Sequence, residues 1–132
     1  MIKGIGHVAL VVSDLDASMH FYHEILGFED LFDWRNSQGE PWIRYLKIKD
    51  MQFLELFYDK AHTPVEISDA HLCLEVDDIE EVASRLIASG VQLDNPPRQG
   101  GDLNYQCWAR DPDGNRIEFM QMHKDSPQVR AR

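Results

Sequence analysis

Four residues of this chain have types and spacing suited to chemistry: His7, Glu55, His71 and Glu118. Two imidazoles and two carboxylates around one point make a mixed nitrogen and oxygen shell. Such a shell suits one borderline divalent ion such as nickel, cobalt, zinc, manganese or iron. It differs from a closed structural zinc site, which ordinarily brings cysteines, and it leaves coordination positions for water or substrate, as Lewis-acid catalysis requires. Singly, a histidine at a strand start is ordinarily a hydrogen-bonded structural residue, and a glutamate in mid-strand ordinarily faces solvent. The register of the four reverses that reading.

The chain repeats itself. Residues 7–16 (HVALVVSDLD) resemble residues 71–80 (HLCLEVDDIE) at an offset of 64, which matches His7 to His71, Leu10 to Leu74, Val12 to Val76 and Asp14 to Asp78. Leu54-Glu55-Leu56 resembles Ile117-Glu118-Phe119 at an offset of 63, and Gly27-Phe28 matches Gly90-Val91 at the same 63. One residue has therefore dropped out inside the helix of the second copy. Two short matches at nearly equal offsets, with the same residue types in the same places, mark a duplicated structural unit.

Each copy reads as strand, helix and three strands. In the first, residues 5–12 alternate and are rich in β-branched side chains, as a strand requires. Ser13 or Asp14 supplies an N-cap, and Leu15, Met19, Tyr22, Ile25 and Leu26 recur at helical spacing until Gly27 ends the helix. Strands follow at 28–34, 41–48 and 52–58, with a turn at Lys49-Asp50. The second copy has a strand at 70–76, a helix over 79–89 closed by Gly90, and strands at 91–95, 105–110 and 116–122. Asp111-Pro112-Asp113-Gly114 is a strong turn signal, since proline presets φ and glycine accepts positive φ. Gly100-Gly101 reads as an ordinary hairpin connection or a loop over a cleft. Residues 1–122 thus form one α+β domain of two tandem βαβββ modules, about 1–60 and 70–122, joined by a linker over 61–69. Residues 123–132 read as a frayed polar tail.

Strand side chains alternate between faces, so these elements aim the four residues. Val8, Leu10 and Val12 share the face that the helix covers, which sends His7 and Ala9 to the other. Leu72, Leu74 and Val76 do the same for His71 and Cys73. Leu54 and Leu56 flank Glu55, and Ile117 and Phe119 flank Glu118, with the leucine, isoleucine and phenylalanine side chains on the helix side. Each module then offers one histidine and one glutamate on its non-helical face. A pseudo-two-fold pairing of the modules, within one chain or between two, brings them together.

Composition excludes several classes. The 13 Lys and Arg against 23 Asp and Glu give a formal charge of −10, which argues against nucleic-acid and anionic-membrane partners. The 43% hydrophobic and 27% charged residues are those of a globular domain. No apolar run approaches the roughly 18 residues of a membrane span, and no signal peptide is evident, so a cytoplasmic setting is expected. Cys73 and Cys107 are then reduced thiols, and no C-x-x-C pair is present.

The arrangement resembles the vicinal oxygen chelate superfamily, which includes glyoxalase I, methylmalonyl-CoA epimerase, extradiol dioxygenases and the bleomycin- and fosfomycin-resistance proteins. The likeness runs from about Lys3 to Met122. It rests on the His7 strand, on Asp14-Leu15-x-x-Ser18-x-x-Phe21-Tyr22 with Leu26-Gly27-Phe28, on His71, and on Asp111-Pro-Asp-Gly-Asn-x-Ile-Glu118. The resemblance implies paired modules curling into a half-open barrel around the metal, with His7, Glu55, His71 and Glu118 as ligands. The His-Glu-His-Glu set looks most like short bacterial glyoxalase I (lactoylglutathione lyase). Epimerases of the superfamily usually place Gln where Glu55 stands, and its ring-cleaving dioxygenases use two His and one Glu. The resemblance therefore implies a divalent-metal-dependent lyase or isomerase acting through a metal-bound enediolate, with Glu118 as principal base and Glu55 as opposing acid or base. A homodimer and a small-molecule substrate are also implied. Two departures bear on glutathione: Val11 stands where many bacterial glyoxalases have an arginine for its carboxylate, and Asp59 where they have an asparagine. The alternatives are an epimerase, a dioxygenase, or a protein that binds a drug or metabolite without turnover.

Other residues carry two readings. His20, His23, His62 and His123 are read as surface residues rather than ligands. Cys73 shares a face with His71 and either lines the pocket or is simply a small buried thiol. Tyr105, Trp108, Arg110 and Arg44 line a cleft, or serve in core packing and ion pairs.

Overall fold

The computed structural model describes residues 1–64 and 69–131. The chain divides into two compact units, Met1–Val65 and Glu66–Arg132. The linker expected over 61–69 lies partly outside the described residues. No helix among the described residues is long and apolar enough to cross a membrane.

The first unit runs β1 (His7–Val12), α1 (Leu15–Met19) with a π-helical continuation (His20–Ile25), β2 (Glu29–Arg35), β3 (Pro41–Lys49) and β4 (Gln52–Tyr58). The second runs β5 (Leu72–Glu75), α2 (Ile79–Ala88), β6 (Leu93–Gln99), β7 (Tyr105–Arg110) and β8 (Arg116–Gln121), followed by a short α3 (Pro127–Arg130). The two sheets have matching orders, β1-β4-β3-β2 and β5-β8-β7-β6. In each, the first strand lies parallel to the last, and the other pairs are antiparallel. The crossover helix needed to join parallel strands is the module's own helix. These are the two βαβββ modules of the α+β fold that the repeat implies, each an open mixed sheet.

Helix entry is alike in the two units. Asp14, not Ser13, caps the first helix by accepting from Ala17 N, and Asp78 caps the second by accepting from Glu80 N and Glu81 N. Gly27 and Gly90 both close with φ +81°. Between cap and glycine the units differ. Where the first unit carries its extra residue, the helix widens to π-helical turns, and Leu26 N reaches back to Phe21 O. A single extra residue is what a π-turn accommodates without disturbing the flanking α-helix. The single α-helix expected to run up to Gly27 is therefore corrected to α-helix followed by π-helix.

The cores follow the expected parity. Val12, Leu46, Leu54 and Leu56 are buried with Phe21, Tyr22 and Ile25 in the first unit, and Ala109, Ile117 and Phe119 with Ile79, Ala83 and Leu86 in the second. Strand β6 continues four residues past the expected end, through Pro96 and Pro97. Proline lacks a ladder donor, but β6 is an edge strand with register shifts at this place, where proline is tolerated.

The tail is the second correction. Residues 123–131 are held down rather than frayed. The Asn104 side chain, fully buried, accepts from His123 N and donates to Gln128 Oε1 and Asp102 Oδ2. Ser126, also fully buried, caps α3 by accepting from Val129 N.

Candidate metal centre

Each unit builds half of the expected ligand set on the face away from its helix. In the first sheet Ala9 is the Cα partner of Glu55 along the parallel β1–β4 pair, so His7 lies two residues before it on the same face. In the second, Cys73 partners Glu118, and His71 immediately precedes β5. His7 Nε2 stands 3.1 Å from Glu55 Oε2, and His71 Nε2 stands 3.0 Å from Glu118 Oε2. Both glutamates are nearly buried, 8% and 6% exposed. A carboxylate in such a position needs a positive or hydrogen-bonding partner to offset its lost hydration.

The protonation pattern at His71 bears on what that partner is. Its Nδ1 lies 2.8 Å from the backbone oxygen of Asp69, which can only accept, so Nδ1 carries the proton. In the neutral ring Nε2 then presents a lone pair to the Glu118 oxygen. Two electron pairs facing each other at 3.0 Å call for a cation between them, either a second proton on the imidazole or a metal ion. This donor chemistry fits a divalent ion bound through Nε2 and carboxylate oxygen in each unit. Among the described residues each unit gathers one such pair, and no group of three or more His, Cys, Asp or Glu side chains meets.

Sequence reasoning missed Tyr45. It lies directly across from Glu55 on β3, and its phenol hydrogen-bonds to that carboxylate. Burial first, then the Glu55 charge and this hydrogen bond, push its pKa upward. The repeat held the signal: Tyr45 precedes Trp108 by 63 residues, and Trp108 lies across from Glu118 on β7. The Trp108 ring packs 4.7 Å from His71, Arg116 sits 4.6 Å over it, and its indole N–H donates to Gln106 at 2.8 Å. Trp108 therefore belongs to the glutamate face rather than to the helix-side core.

The remaining candidates fall as follows. Cys73 is exposed beside Glu118, and burial of its thiol together with the Glu118 and Glu75 charges raises its pKa to about 11. Arg110 lies on the Glu118 face but pairs with Asp94 at 2.9 Å. Arg44 points to the helix side, where it pairs with Asp30. Tyr105 alternates to the face opposite Trp108. His20 pairs with Glu24 at 2.7 Å, His23 Nδ1 meets Phe28 O at 2.6 Å, and His123 Nδ1 accepts from Asp125 N at 3.1 Å, all local contacts.

Residues 4–119 match the family described as the Glyoxalase/Bleomycin resistance protein/Dioxygenase superfamily. The chain is 32% identical over 124 residues to a probable lactoylglutathione lyase of Vibrio parahaemolyticus, covering 89% of each. It is also 32% identical over 124 residues to the glutathione transferase FosA of Serratia marcescens, covering 90% of this chain and 81% of that one. Among solved structures, the glyoxalase family protein of Enterococcus faecalis is similar with a TM-score of 0.76 and 31% identity, over 89% of this chain and 97% of that one. The duplicated βαβββ modules, the paired histidines and glutamates and the match over 4–119 agree: the chain belongs to the glyoxalase/bleomycin resistance protein/dioxygenase superfamily.

Proposed function

We propose that His7, Glu55, His71 and Glu118 together hold one divalent cation, and that the chain is a lyase or isomerase of lactoylglutathione lyase-like chemistry. The observation that carries this reading is the matched pair of nearly buried glutamates, each with a carboxylate oxygen at 3.0–3.1 Å from an imidazole Nε2, at equivalent places in two sheets. The superfamily and the relatives named lactoylglutathione lyase support it.

A bound divalent ion would supply Lewis acidity toward two adjacent oxygens of a substrate, making the neighbouring C–H more acidic. Glu118 would then take the proton from that carbon as general base, and the proton would return to the adjacent carbon from Glu118 or from Glu55. The two carboxylates are equipped differently for these roles. Glu55 has a phenol neighbour, Tyr45, directly across on β3, whose pKa is raised by burial and by the Glu55 charge, so that it stays protonated and neutral at physiological pH. Glu118 has a thiol neighbour, Cys73, which stays protonated and neutral at physiological pH. The Trp108 ring packs edge-on against His71 and buttresses that imidazole beside Glu118.

The test is metal analysis of purified protein, followed by turnover assays with the identified metal restored. The panel includes hemithioacetals of glutathione and of other thiols, fosfomycin with a thiol, and a catechol with dioxygen uptake recorded. Glu118→Gln is expected to reduce hemithioacetal isomerisation by about 100-fold or more while leaving the fold intact. A metal-replete variant with full turnover would overturn the assignment. A cytoplasmic homodimer belongs to the same reading, and light scattering of the purified chain tests the dimer.

A further inference from the structure

Trp108 is gripped from several sides within the second unit. Its ring meets the His71 imidazole at 4.7 Å, Arg116 lies 4.6 Å over its face, and its indole N–H donates to Gln106 Oε1 at 2.8 Å. An indole nitrogen can only donate, so the Gln106 amide turns its oxygen toward the ring and its NH2 away. That NH2 rests against backbone that carries no side chain: a Cβ placed on Gly100 would lie 2.7 Å from Gln106 Nε2. Gly100 is itself fixed, since its N–H donates to Asn104 O at 2.8 Å and its carbonyl accepts from Leu103 N at 3.1 Å.

His71 depends on such support more than His7 does. His7 belongs to β1 and has a ladder partner in Phe53, whereas His71 precedes β5. Its Nδ1 is tied to Asp69 O, but a hydrogen bond at one nitrogen leaves the ring able to swing about it. The Trp108 ring blocks that swing on one side and keeps Nε2 toward Glu118. The first unit is built otherwise: 63 residues before Gln106 stands Ile43, which offers a ring no acceptor.

We infer that Gln106 is a positioning residue of the His71 half-site, acting through Trp108, and that Gly100 is the seat which holds its amide in place. The inference rests on the metal reading proposed above and adds the residue that orients one of its ligands. Without the Gln106 oxygen the indole N–H loses its acceptor, and the ring turns to find another. His71 then loses the wall it rests on. Without the gap at Gly100 the amide is displaced, with the same result by an independent route.

The test combines two substitutions. Gln106→Met keeps the length and neutrality of the side chain and removes the acceptor. Gly100→Ala leaves Gln106 chemically intact and pushes its amide aside, at little cost to the fold because the crowded atom ends a flexible side chain. On metal-free protein, either substitution should move the indole N–H resonance of Trp108 upfield and shift the ring protons of His71. The signals of Trp34 and Trp42 should stay in place. Zinc affinity, measured by calorimetry against a competing chelator, should fall about tenfold in either variant. In the double variant it should again fall about tenfold, not the roughly 100-fold of independent effects, because both act through the same hydrogen bond. Neither substitution alters charge, so such a loss reports ligand position rather than the field at the metal. Zinc affinity unchanged in Gln106→Met overturns the proposal, as do unmoved His71 signals. So does a Gly100→Ala loss that persists in full on the Gln106→Met background. If the unmodified chain binds no zinc yet both substitutions still move the Trp108 and His71 signals, the metal reading falls and the positioning of His71 by Gln106 stands.

Discussion

Tyr45 and Trp108 occupy the same place in the two sheets, one directly across from Glu55 and the other directly across from Glu118. The phenol gives its hydrogen bond to the glutamate, whereas the indole gives its own to Gln106. Burial, the Glu55 charge and the hydrogen bond all disfavour the Tyr45 phenolate. Its folded pKa therefore lies above the unfolded one, so the stabilisation it contributes is fully present below about pH 10 and is lost as pH rises through the folded value. Ultraviolet difference titration of the unmodified chain against Tyr45→Phe should assign Tyr45 a midpoint above the ordinary tyrosine value. In Glu55→Gln that midpoint should move down but stop short of the ordinary value, because burial is the largest cause. A midpoint indifferent to Glu55→Gln would show that the phenol does not sense this carboxylate.

Much of the candidate site's layout was legible in the sequence. The alternation in Leu54-Glu55-Leu56 and in Ile117-Glu118-Phe119 fixed which way both carboxylates face, because a strand has only two faces and one is taken by the helix. Tyr45 escaped notice although the 63-residue offset from Trp108 marks it, since an isolated strand tyrosine has no charge or motif to draw attention. The π-helical turns were beyond periodicity: over the six residues from His20 to Ile25, α- and π-helical spacing bury nearly the same side chains. The docked tail was out of reach for another reason. Its anchor, Asn104, lies 19 residues from His123, and polar composition says nothing about so distant a partner.

The half-site around Glu118 predicts an inversion of stability. Without metal, the neutral His71 ring and the Glu118 carboxylate face each other with lone pairs, unless the ring takes a second proton. In Glu118→Gln the amide N–H can donate to Nε2, and a nearly buried charge is removed. Chelator-treated Glu118→Gln should therefore be as stable as the unmodified chain or more so, by about 1 kcal/mol. With a saturating divalent ion the order should reverse, because ligand binding to the folded state stabilises in proportion to its affinity. Thermal denaturation of both proteins, with chelator and with metal, decides it. The same order under both conditions would separate Glu118 from metal binding.

The π-helical stretch predicts a tolerated deletion. In the second unit Val91 N bonds to Leu86 O, and in the first the matching bond from Phe28 N to Tyr22 O spans one residue more. The extra residue thus lies between Tyr22 and Phe28, where Glu24 is exposed. Deleting Glu24 should let the helix close as an α-helix into Gly27, as the second unit closes into Gly90. The loss should stay within the about 0.5–3 kcal/mol of an ordinary point mutation. Circular dichroism and denaturant unfolding measure this, and an unfolded deletion variant would contradict it. Deleting one residue inside β4, by contrast, should be destructive, since a one-residue slip turns Glu55 to the helix side.

The tail predicts a switch toward acid. Asp102 accepts from Gln128 and from Asn104, and these hydrogen bonds, Gln128 first, hold its carboxyl below the usual range. A depressed carboxylate pKa stabilises above the unfolded value, and that contribution is lost as pH falls through the folded one. On acidification the contact between Asp102 and α3 should loosen before the sheets unfold. Asn104→Ala should do the same at neutral pH and cost about 2–3 kcal/mol, because it leaves His123 N without its acceptor and takes one donor each from Asp102 and Gln128. Hydrogen exchange of residues 123–131 should report faster exchange in acid and in Asn104→Ala, with β7 and β8 still protected. If the tail and those strands lose protection together, α3 is an integral part of the second unit rather than a separately releasable clamp on the β6–β7 hairpin.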